Sequence, residues 1–240
     1  MSGPRHLSPD VAQPDPHALP RQRKGTTPQM VGRYPDYDVL AETGHWDALT
    51  RGVVLDRVEN PPDIRFFNAT EAHALKAFCD LVTAQNADPR IPVLAYIDEK
   101  LYDGTRDGWQ FFDVPDDDVV WRRLAQGLDD EGRERDAEGF AEAPLQVQID
   151  IVHDFSKADL HGGVWNTMNV GRAFSVVMRY VSQAFYSHPW AWNEIGFGGP
   201  AYPRGYAAFG SPHLGESEHW EAKESAHYDP VRDARKRGLD

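Results

Sequence analysis

Cysteine is almost missing from this chain: Cys79 is the single one in 240 residues. One thiol excludes an internal disulfide and a cysteine-rich zinc site. It lies in "HALKAFCDLV" and continues an apolar stripe, so it reads as a buried, inert thiol. Long apolar runs are missing too, and none approaches the roughly 20 residues of a membrane-spanning helix. Positive charge is in deficit, with 25 Lys and Arg against 38 Asp and Glu and a net charge of −13. A surface this acidic repels a phosphate backbone, which excludes nucleic acid as a partner. There is no Walker loop, no G-x-S-x-G nucleophile elbow and no C-x-x-C-H haem site. "GFGGPAYPRG" has the glycines of a nucleotide loop, but Pro200 and Pro203 stand where a phosphate-binding helix would have to open. "DVPDDDVV" lacks the Gly and terminal Glu of a calcium loop and reads as a helix start.

What is present is a globular composition, 40 % apolar and 26 % charged. The length suits one domain of ordinary size. Residues 1–33 hold six Pro and five basic residues and little to bury, so a disordered tail is expected there. Residues 211–240 are polar and rich in His and charge, and form a second expected tail. The folded part is placed at 34–210, and no internal repeat runs through it.

Within that part the dominant period is helical. In "FFNATEAHALKAFCDLVTAQN", Asn68 is a good N-cap and Glu71 completes a capping box. Leu75, Phe78, Cys79 and Val82 then share one face. In "IPVLAYIDEKLYDG", Pro92 suits a first helical position, and Leu94, Ile97 and Leu101 line one side. "PDDDVVWRRLAQGLDDEGRE" opens with acids that suit the helix dipole and carries Val120, Leu124 and Leu128 on its face. "PLQVQIDIVHDFSKA" aligns Leu145, Ile149 and Val152. "NVGRAFSVVMRYVSQAFYSHP" aligns Val170, Phe174, Val177, Val181 and Phe185, and Pro189 ends it. Period-two alternation is confined to a short strand suggested near 52–55. The expected fold is mostly α: a single helical domain of about five or six helices, with a Gly/Pro/aromatic-rich C-terminal loop.

Two segments carry candidate chemistry. "HDFSKADLHGG" offers His153, Asp154, Asp159 and His161 in no recognised zinc spacing, and a His near a helix C-terminus is more often a dipole cap than a ligand. No metal ligand and no catalytic residue is assigned. "HPWAWNEIGFGGPAYPRGY", residues 188–206, packs two Trp, two Tyr, one Phe, four Gly and three Pro into nineteen residues. No helix is expected through it. Its aromatics suit three roles: packing at a core edge, an interface with a partner, or stacking on a sugar. The candidate partner-binding residues are Trp190, Trp192, Asn193, Phe197, Tyr202, Arg204 and Tyr206.

Three regions resemble the gluconate 2-dehydrogenase subunit 3 family. They are "RYPDYDVL" with "HWD" over 33–47, "RFFNATEAHALKAFCDLVTAQ" leading to "IPVLAYIDEKL", and "FYSHPWAWNEIGFGGPAYPRGY" over 185–206, the most specific. The resemblance implies a non-catalytic small subunit. It would bind a large FAD-holding subunit of the glucose–methanol–choline oxidoreductase type, which oxidises a sugar or polyol, and support its maturation and stability. In some such complexes a cytochrome c subunit takes the electrons. No cofactor is expected in this chain, and FAD is expected in the partner. Many family members carry a twin-arginine signal. Here Arg21 and Arg23 are followed by no apolar stretch, so the location expected as written is cytoplasmic, or periplasmic if the complex is exported with its partner. The rival readings are a stand-alone carbohydrate-binding module using the aromatic loop, and a metal-dependent enzyme using His153, Asp159 and His161.

Overall fold

A computed structural model of the chain describes residues 38–85, 88–108 and 110–200. Both expected tails lie outside the described residues. Among these residues there is no strand. The α-helices are α1 (Ala48–Glu59), α2 (Ala69–Val82), α3 (Val93–Tyr102), α4 (Asp117–Glu134), α5 (Leu145–Lys157), α6 (Val170–Tyr186) and α7 (Pro189–Ile195). Two 3-10 helices span Val39–His45 and Gly163–Thr167. The fold is mostly α. The described residues form two compact units: one holds 38–61, 84–85, 88–91 and 186–200, the other 62–83, 92–108 and 110–185.

The second unit is built on α2 to α6. The α2 capping box is present: the Asn68 side chain accepts from the Glu71 N–H at 3.0 Å, and Glu71 accepts from the Asn68 N–H at 2.9 Å. Before that cap, the carboxylate of Asp98 on α3 accepts the backbone N–H of Arg65 at 2.6 Å, of Phe66 at 3.0 Å and of Phe67 at 2.9 Å. Asp98 is fully buried. Its charge is solvated by the main chain instead of by water. α2 packs on α4, and Leu75, Phe78 and Cys79 of the one and Val120, Trp121, Leu124 and Leu128 of the other are buried. Burial pushes the Cys79 thiol well above its ordinary value, and Asp80 adds to the effect. Close approach of the elements needs two glycines. A Cβ at Gly127 would fall inside the Trp165 indole, and one at Gly132 would strike the Gly139 backbone.

Two sequence expectations change in this unit. The buried face of α5 is Ile151 and Phe155, not Leu145, Ile149 and Val152; Leu145 is half exposed. The helix is rotated by its largest side chain. Phe155 meets Trp165 at 5.4 Å, Phe174 at 5.1 Å and Phe78 at 6.4 Å between ring centroids, and such aromatic contacts outweigh an aliphatic stripe. Pro92 stands at the N-cap of α3, one place before the expected position.

Counted over the described residues, the first unit is smaller. Asp38 caps the 3-10 helix Val39–His45 and Asp47 caps α1. Val39, Leu40, Trp46 and Val54 form its core, with Leu55, Val58 and Trp192 packed against them. The strand suggested at 52–55 lies inside α1. The Asp47 cap starts a helix there, and only Val54 of α1 is buried, so the apolar residues make no helical stripe for a sequence to show.

Two outcomes follow. Asp98→Ala leaves three backbone donors without an acceptor and lowers unfolding free energy by about 3 kcal/mol, read by urea titration of the helical signal. Glu131 is buried under Trp165, whose Nε1–H donates to it at 3.1 Å. Desolvation raises its pKa, against the pull of Arg135 and Trp165. Its stabilising contribution is therefore complete below the ordinary value of 4.5 and falls as pH rises through the raised value. Glu131→Gln removes that decline, so the denaturation midpoints of variant and parent shift against the parent as pH is raised from 4.5.

Candidate partner-binding site

The aromatic segment is not a plain loop. Pro189 ends α6 as expected but also opens α7 at its first position, where its fixed φ and missing N–H cost nothing. His188 is the N-cap, its Nδ1 accepting from the Trp190 N–H at 3.2 Å, and its ring meets Trp190 edge-on at 4.8 Å. Gly196 closes the helix in the left-handed region, at φ 70°. The expectation that no helix runs here is thus corrected for Pro189–Ile195. Proline and glycine at the two ends are caps of a short helix, not breakers inside one.

Of the four candidates among the described residues, Asn193 and Trp192 are engaged inside the chain. Asn193 is buried, and its Oδ1 accepts the Val39 N–H at 2.7 Å while its Nδ2 reaches Asp38 at 3.2 Å. One side chain therefore ties α7 to the start of the 3-10 helix. Trp192 packs on the core of the first unit, donates Nε1–H to the Tyr186 carbonyl at 2.7 Å and meets Phe197 edge-on at 5.5 Å. Gly199, at φ 76°, is pressed on Trp46: a Cβ would lie 2.7 Å from its ring and 3.0 Å from Val39. Phe197 keeps 37 % of its surface exposed and Ile195 44 %. Trp190 is half-buried against His188. Tyr202, Arg204 and Tyr206 lie outside the described residues.

Sequence reasoning missed Ile195 as a surface residue of this segment. It also missed α1, where Leu49 is 76 % exposed and Val53 more than half exposed on one face. Their i, i+4 spacing was the available signal, but an apolar pair is read as core unless something shows which side faces water.

The second unit contains a groove of about 710 Å³ between the start of α2 and α4. Its cations are engaged by neighbours. Arg122 binds Glu71 at 2.7 Å and the Phe66 carbonyl at 3.0 Å, Arg123 the Thr167 carbonyl at 2.9 Å, and Arg133 Asp130 at 3.0 Å. His153, Asp159 and His161 are exposed. Among the described residues no three His, Cys, Asp or Glu side chains are grouped to hold a metal ion.

A family model described as gluconate 2-dehydrogenase subunit 3 matches residues 69–199, more than half of the 240-residue chain. The chain belongs to that family. As a gluconate 2-dehydrogenase subunit 3 protein, it is one subunit of a multi-subunit dehydrogenase. The match runs from the first residue of α2 to the glycine pressed on Trp46, so it contains α7 and its turn. No curated protein and no solved structure matches the chain. No described helix is long and apolar enough to cross a membrane.

Asn193→Ala removes the acceptor of a buried N–H. It is expected to weaken the seat of α7 by about 2 kcal/mol, read as faster amide exchange at Val39 with the second unit unchanged.

Proposed function

We propose that this chain is a non-catalytic small subunit that binds a large flavin-dependent dehydrogenase subunit acting on a sugar or polyol, and supports its maturation and stability. The family match carries the reading, because it makes the chain part of an assembly. The docking surface is the outer side of α7 and its turn, with Ile195 and Phe197 as apolar anchors. Anchors of this kind bind best when little freedom is lost on association. The caps at His188 and Gly196, the Asn193 cross-link and the Gly199 contact supply that rigidity. The flavin belongs to the larger subunit. The one thiol of this chain is buried and held protonated, which suits packing and not covalent or redox chemistry.

A sugar platform needs an aromatic face turned to solvent. Among the described residues of the segment Trp190 and Trp192 are partly buried, and Phe197 alone of its rings is exposed, one ring and not a platform. A metal enzyme needs ligands brought together, and His153, Asp159 and His161 are apart from any such group among the described residues.

Purification of the tagged chain from its native host is the test. A larger stoichiometric band with flavin absorbance is expected, and a lone colourless chain overturns the reading. Phe197→Ser, with Ile195→Ser, is expected to reduce capture of the larger subunit about tenfold or more while helical content persists. Trp192→Ala is expected to reduce both together, because that ring is part of the core.

A further inference from the structure

The loop between α3 and α4 leads into Asp117, the first residue of α4 and only 5 % exposed. Its Oδ2 accepts from the Tyr180 hydroxyl at 2.6 Å. Its Oδ1 is buried with no hydrogen-bond partner in the protein. Asp117 lines a recess of about 130 Å³ with Arg106, Gly108 and Gln110. A buried carboxylate oxygen without a donor is costly, so a donor from outside is favoured there.

The cations around it are committed elsewhere. Arg106 pairs with Asp116 at 2.8 Å and Asp118 at 3.1 Å. Lys100 pairs with Asp107 at 2.5 Å. Arg179 reaches Asp107 at 3.0 Å and stands 3.9 Å from Asp117 Oδ2. Three cations thus face four carboxylates, and the cluster keeps one negative charge. The recess has room for one cationic head group. Arg106 is the movable wall: its side chain is 44 % exposed, and exposed pairs like its own hold it weakly. Earlier on the same loop Phe112 is 94 % exposed. Arg172, which pairs with Asp113, stands 5.4 Å from its ring centroid. Asp113 accepts in turn from Asn169 at 3.0 Å. A solvent-facing phenylalanine two residues after Gln110 of the recess lining fits a protein surface better than a free ion.

We propose that the Asp117 recess receives the ammonium or guanidinium head of a lysine or arginine from the larger subunit, with Phe112 as an apolar contact of the same surface. This rests on the reading that the chain docks on such a subunit. The incoming head swings Arg106 aside, donates to Asp117 Oδ1 and neutralises the cluster.

Two measurements test it on the full chain. Ethylammonium chloride is titrated against an equal ionic strength of potassium chloride while the backbone amides of Gly108 and Asp117 are followed by NMR. A saturable, ammonium-dependent shift is expected, lost in Asp117→Asn and strengthened in Arg106→Gln. Asp117→Asn keeps an acceptor for Tyr180, and Arg106→Gln provides an independent variant whose expected effect has the opposite sign. No saturable shift in either the parent or Arg106→Gln overturns the recess as a cation site. Capture of the larger subunit is expected to fall about tenfold in Asp117→Asn and in Phe112→Ser at low salt. A saturable shift with undiminished capture overturns the partner's side chain as the source and leaves a free small cation. If the parent chain captures no larger subunit, the proposed function and the partner source fail together, and the ethylammonium titration alone decides the recess.

Discussion

The buried carboxylate of Asp98 is the contact on which the larger unit depends. It gathers three consecutive backbone N–H groups ahead of α2, and so fixes where that helix can begin. Asn68 then caps from a predetermined place. Glu71, held by the capping box, becomes the anchor for Arg122 of α4, whose guanidinium also covers the Phe66 ring at 4.2 Å and bonds the Phe66 carbonyl. One acid on α3 thereby orders the approach of α2 to α4. Carboxylates held by main-chain donors are strong and directional, and no apolar contact would specify register so closely. The same device recurs in the smaller unit with an amide. Asn193 accepts one backbone N–H and ties α7 to the 3-10 helix.

Local rules made the five long helices legible. Caps and apolar spacing act within a turn or two, so Asn68, Glu71, Val120, Leu124 and Leu128 could be assigned from neighbours in sequence. The two further helices were not legible for different reasons. α1 buries too little to print a stripe, since Leu49 and Val53 face out and Val54 faces in. α7 is short, and its Pro and Gly look like breakers until they are seen at the two caps. The rotation of α5 was also hidden. Which face turns inward depends on Trp165 and Phe174 across the core, and contacts of that range leave no mark in a local pattern.

The aromatic segment was recognisable as special, but its division of labour was not. Packing and docking both favour Trp and Phe, so composition alone cannot separate Trp192, which is packed on the core, from Phe197, which is partly exposed beside it. Asn193 stands among the candidate partner-binding residues by its place in the aromatic segment, and asparagine is usually exposed. Its burial becomes intelligible only when the Val39 N–H is found needing an acceptor across the unit. A polar residue inside a short, aromatic-rich helix is thus a better pointer to a cross-link than to a partner.

That division has a consequence for how such a subunit works. A docking residue contributes to affinity in proportion to how little order it must acquire on binding. Ile195 is the last residue of α7, and Phe197 follows in a turn pinned by Gly196, Gly199 and the edge of Trp192. The Asn193 amide beneath them is hydrogen-bonded to Val39 and Asp38 before any partner arrives. Buried polar bonds therefore do in the free chain what complex formation would otherwise have to do. Loosening them is expected to cost affinity even where no contact residue is changed, as with Asn193, which lies beneath the surface and touches Val39 and Asp38 instead.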